Sequence, residues 1–160
     1  MRSFQVFAAM TPEQATEILT ALKQQAPGMF AQALAAAAAA LKSRPVYLAR
    51  QPIEKQAASV RRALARVAAS PVAEELLAVY FLECQKDLLL EWLDALSISH
   101  EDGTLADDMP EAPPKRELDR AVKAFRAVDD DRNRELLLAA FSAQSSIEWP
   151  DLDAHVAENA

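Results

Sequence analysis

Residues 71–96 read PVAEELLAVYFLECQKDLLLEWLDAL, and the spacing of their apolar side chains decides the fold. Leu76, Leu77, Val79, Tyr80, Phe81, Leu82, Leu88, Leu89, Leu90, Trp92, Leu93 and Leu96 make a wide apolar face, broken by one row of carboxylates: Glu83, Asp87, Glu91 and Asp94. At about 100° per residue the four acids fall within about 80° of one another, so apolar side chains claim most of the remaining circumference. The stretch predicts a single long helix on the order of 39 Å, central to a helical bundle or to a dimer. Ser70-Pro71 predicts its start, with serine as N-cap and proline inside the first turn.

Composition agrees with helices throughout. The chain of 160 residues holds 34 alanines and two glycines, Gly28 and Gly103. Alanine loses no side-chain entropy in a helix, whereas glycine costs about 1 kcal/mol there. Two glycines so far apart exclude a Walker loop or a Gly-rich dinucleotide turn. The length suits one all-α domain of six or seven helices that buries roughly 70% of its unfolded surface. Cys84 has no partner for an internal disulfide. Residues 1–10 have one basic residue and too short an apolar run for a secretory signal, and Met29 to Leu41 is too short to span a bilayer. A cytoplasmic, reducing setting with no membrane segment is the expectation.

Working outward from the long helix, proline marks most boundaries. Thr11-Pro12-Glu13-Gln14 carries a capping box and predicts a helix from there to about Gln25. Pro27-Gly28 breaks it, and Met29 to Lys42, with its alanine run 35–40, predicts the next. Residues 44–51 read as an extended connection between Pro45 and Pro52. From Pro52 to about Ala69 a further helix is predicted, with Ile53, Val60, Leu64 and Val67 facing the core. Residues 97–113 form a loop with five carboxylates and no Lys or Arg, where Asp102-Gly103 suits a tight turn. Pro114 to Val128 and Arg132 to about Ala143 predict a helical hairpin, the second helix capped by Asp129, Asp130 and Asp131. A short helix over 150–158 closes the chain, with Trp149 packing back onto the bundle.

Charge is uneven. Residues 42–70 hold seven basic side chains against Glu54 alone, a net +6, which leaves −13 for the rest of a chain whose total is −7. The Lys55, Arg62 and Arg66 face is the candidate site for phosphate or for an acidic partner. It lacks interleaved aromatics and the total charge is acidic, which disfavours nucleic acid.

The carboxylate row on the long helix is the candidate metal site, with Glu83, Asp87, Glu91 and Asp94 as ligands to Mg²⁺ or Mn²⁺. Like charges at these spacings repel by a few tenths of a kcal/mol per pair, so an opposite charge is implied. Lys86, the basic helix or a cation could each supply it, and a solvated or salt-bridged face is the simplest account. Glu91-x-x-Asp94 resembles half of the paired acidic motifs of all-helical nucleotide pyrophosphohydrolases. The other half, Glu-x-x-Glu, is absent, and the same spacing recurs at Glu148 and Asp151, so the chain is not assigned to that family. His100, followed by Glu101 and Asp102, is the candidate general acid or base.

Two functions follow as expectations. The first is a non-enzymatic interaction or regulatory module without a cofactor, which binds a protein partner or itself through oppositely charged faces. Its homodimer form would use surplus apolar surface on the long helix. The second is a divalent-metal-dependent hydrolase of small phosphorylated or nucleotide substrates, using the acid row, His100 and the basic face.

Overall fold

The computed structural model describes residues 1–128 and 132–159, and the fold is all-α. Among the described residues there are ten α-helices, more than the six or seven expected: α1 Ser3–Ala9, α2 Pro12–Gln25, α3 Pro27–Ala40, α4 Pro45–Ala49, α5 Ile53–Leu64, α6 Ser70–Val79, α7 Lys86–Ala95, α8 Lys115–Arg126, α9 Arg132–Ser142 and α10 Pro150–Glu158. A two-stranded hairpin, β1 His100–Glu101 and β2 Thr104–Leu105, follows α7. The proposed capping residues Asp129, Asp130 and Asp131 lie outside the described residues.

The first half builds a three-helix layer of α2, α3 and α5, against which α1 and α6 pack. The Thr11 capping box forms as expected. Gln14 N donates to Thr11 Oγ1 at 3.1 Å and Thr11 N donates to Gln14 Oε1 at 3.0 Å. At the far end of α3, Lys42 takes a left-handed conformation (φ 54°), and Ser43 N donates to Ala38 O, a Schellman closure. Residues 45–49 are helical rather than extended, because the buried Gln56 amide donates to the Leu48 and Ala49 carbonyls and completes that one turn. α5 stops at Leu64, and a 3₁₀ turn over Val67–Ala69 carries Val67 out to 62% exposure instead of into the core. Ser70 is already helical and makes no side-chain cap, so the N-cap is Ala69.

The predicted long helix is interrupted. Residues Tyr80–Cys84 form a π-helical turn in which Gln85 N donates to Tyr80 O, and Gln85 itself leaves the helical region (φ −131°, ψ 38°). The buried side chains explain this. In an unbroken helix, Ala73, Leu76, Leu77, Tyr80 and Phe81 would centre about 120° away from Leu88, Leu89, Trp92 and Leu93. The π turn absorbs one extra residue, about 100° of rotation, and brings both sets to one side. The wide apolar face is therefore two narrower faces out of phase. All nine of these side chains are buried within the chain, while Val79, Leu82, Leu90 and Leu96 of the same stretch are half-buried.

The second half closes around α7. Trp92, wholly buried, sits 5.2 Å from the Phe125 ring of α8 and 6.0 Å from Phe141 of α9, and Phe141 meets Trp149 at 5.4 Å. Trp149 packs back as expected, and its Nε1 donates to Pro110 O at 2.9 Å, pinning the loop after the hairpin. α8 and α9 form the expected pair, joined by a two-pronged Arg126–Glu135 contact at 2.6 and 3.0 Å.

Candidate functional site

Each carboxylate of the acid row meets different surroundings. Glu91 accepts two bonds from Arg134 of α9, at 2.7 and 2.9 Å. Arg134 is only 9% exposed, donates also to Phe125 O at 3.2 Å, and lies 4.6 Å above the Phe125 ring. None of the three partners proposed from the sequence supplies this charge. One signal for it was present: Arg134 stands on the same helical face as Leu137, Leu138 and Phe141, so a cation at a core position required a carboxylate opposite.

Asp94 takes the His100 ring. His100 Nε2 lies 2.7 Å from Asp94 Oδ1, and His100 Nδ1 accepts from Gly103 N at 3.2 Å. The second bond needs a bare Nδ1, which assigns the neutral ring's proton to Nε2, facing Asp94. Both nitrogens are thereby engaged in tying the hairpin to the end of α7. Lys86 bonds Asp102 at 2.6 Å rather than a carboxylate of the row, and this bond holds its ammonium above the usual lysine range.

Glu83 and Asp87 are exposed and flank a shallow depression with Cys84, Gln85 and Lys86. Burial, and secondarily Glu83, pushes the Cys84 thiol up, which disfavours the nucleophilic thiolate. Among the described residues no three His, Cys, Asp or Glu side chains are grouped as a metal ion requires.

Lys55 and Arg62 share the exposed side of α5, and Arg66, also exposed, lies just past its end. Arg66 donates to Ala40 O at 2.6 Å and neighbouring Arg61 to Met10 O at 2.7 Å, so two of these arginine positions brace helix ends. Asp119 of α8 joins Lys115 (2.9 Å) and His155 of α10 (2.7 Å). The Lys115 bond, then the His155 bond, holds the Asp119 carboxyl below its usual range.

Sequence reasoning missed an apolar cleft of about 170 Å³ beside the π turn. Leu77 and Ala78 of α6, Phe81 and Leu82 of the π turn, Leu89 and Leu93 of α7, Gly103 to Leu105 of the hairpin, and Leu137, Ala140 and Phe141 of α9 line it, with Gln144 and Ser146 at its polar edge. It exists because the π turn and the hairpin meet there. Asp102 and Gly103 both have positive φ (51° and 94°), as a two-residue type I′ turn requires. A Cβ on Gly103 would stand 3.3 Å from Leu89 Cδ2. No helix among the described residues is long and apolar enough to cross a membrane. Compared with protein-family models, with curated proteins and with solved structures, the chain matches none.

Proposed function

We propose that this protein is a non-enzymatic interaction module whose apolar cleft receives an apolar side chain from a protein partner. One observation carries the reading: the cleft opens at the single slipped turn of the central helix, where irregular backbone is commonly kept for function. Its volume suits one aromatic ring, since an apolar cavity of about 150 Å³ holds benzene. Meanwhile the side chains best suited to catalysis are engaged in structural contacts: Glu91 with Arg134 between helices, Asp94 with His100 between α7 and the hairpin. The reading needs no cofactor. A cytoplasmic setting goes with it, supported by Cys84 being the one cysteine of the sequence, with no partner for an internal disulfide.

The test is an amide NMR titration with p-cresol as the apolar probe. Shifts confined to Leu77–Leu82, α7, the hairpin and α9 through Ile147, and lost in Ala78→Phe, are expected. Shifts elsewhere, or shifts that persist in Ala78→Phe, would overturn the reading. Thr104→Trp at the exposed rim serves as a second blocking variant, and a thermal melt of each confirms that it is folded.

A further inference from the structure

Val46 and Tyr47 stand side by side on α4 with 61% and 63% of their surface exposed. The next residue, Leu48, is buried, and the Gln56 amide fixes the turn from within, so the pair is presented on a held scaffold. Residues 42–53 supply Lys42, Arg44 and Arg50 around it and no carboxylate.

The cleft itself is lined only by uncharged side chains, and acidic ones lie beside it on the hairpin. The hairpin that forms one wall carries exposed Glu101 and Asp102, the latter bonded by Lys86, and the loop that continues from it holds Asp107, Asp108 and Glu111 around Met109, itself 57% exposed. α4 packs on α3, and neither helix contributes a residue to the cleft.

From this complementarity of shape and charge we infer that a second copy of the chain is the partner: Tyr47 and Val46 of one molecule enter the cleft of the next, with Lys42, Arg44 and Arg50 against the acidic side chains beside it. The inference rests on the interaction reading above and names its partner. Because the two surfaces differ, the contact is head-to-tail and copies add in a row unless the row closes. Screening of these charges makes the association weaken as salt rises.

Sedimentation velocity over a broad dilution series tests it. The wild-type chain should grow from monomer to longer species with concentration, and less so at high salt. Tyr47→Glu and Ala78→Phe should each weaken association by at least about tenfold alone. Mixed in equal amounts they should form a heterodimer and nothing longer, because one keeps only the cleft and the other only the α4 pair. Thr104→Trp replaces Ala78→Phe if that variant melts early.

A wild type that is monomeric throughout, a Tyr47→Glu chain that still associates, or a mixture that stays monomeric overturns the inference. p-Cresol bound in the cleft of a monomeric wild type would remove the second copy and leave the interaction reading standing. Tyr47-dependent binding of that monomer to phosphatidylserine vesicles would instead assign α4 to an anionic lipid surface, and likewise overturn the inference.

Discussion

Glu91 on α7 and Arg134 on α9 meet through two parallel hydrogen bonds, 2.7 and 2.9 Å, while the guanidinium lies over Phe125 of α8. Three helices thus converge on one buried cation. Sequence spacing alone suggested that neutralising Glu91 and Asp94 would relieve repulsion and leave stability unchanged or raised. The pairing reverses that expectation. Glu91→Gln should lower stability by about 1–3 kcal/mol, because it withdraws the counter-charge from a guanidinium that water barely reaches. Urea unfolding measures this. Millimolar Mg²⁺ or Mn²⁺ should leave the melting temperature of the wild type unchanged, and a rise abolished in the Glu91→Gln, Asp94→Asn variant would favour the hydrolase reading instead.

Inserting one residue after position 85 should be far more damaging than deleting Gln85. Without the extra residue the helix can run on unbroken with Leu88, Leu89, Trp92 and Leu93 still on the side of Leu76, Leu77, Tyr80 and Phe81, whereas one more residue turns them about 100° away from the core. Exposing even two such side chains costs on the order of 3–6 kcal/mol, a large part of a domain's stability. Circular dichroism should show loss of the cooperative melt in the insertion and a folded protein for the deletion.

How much of this was open to sequence reasoning depended on whether a feature is local. The Thr11 cap, the Asp102-Gly103 turn and the helix opening at Pro150 rest on side chains within four residues of one another, and all three form. α1 and α4 are 7 and 5 residues long, too short to show a period, and owe their helicity to what they pack against. The π turn and the cleft depend on the phase between two halves of one helix. That phase was present in the apolar spacing, yet averaging over 26 residues read it as a single broad face. The Ser70 cap failed because a 3₁₀ turn moved the helix start back by one residue.

Gly103→Ala should destabilise by about 1–3 kcal/mol, since φ is 94° and the new methyl would press on Leu89. Gly28→Ala should do no harm, because α3 is helical there and nothing lies within 4 Å of a Cβ. The pair of urea midpoints separates backbone strain from a general intolerance of glycine replacement.

The Asp119 clasp sets an acid limb to stability. A carboxyl held low in the folded state contributes stability above its unfolded value, and this is lost as pH falls through the folded value. Wild type and Asp119→Asn should therefore differ most near neutrality and converge below about pH 4. Melting temperatures across that range decide it, and parallel curves would show that the contact contributes nothing.

The bond from Trp149 Nε1 to Pro110 O turns an indole into an optical gauge of the acidic loop. Both tryptophans are shielded from water, Trp92 wholly and Trp149 at 2% exposure, so the native emission should be blue, and a red component should appear only when the loop lifts away. Replacing Trp149 with Phe leaves Trp92 to report the core. Subtracting one spectrum from the other then reads loop release separately from unfolding, with no dye attached.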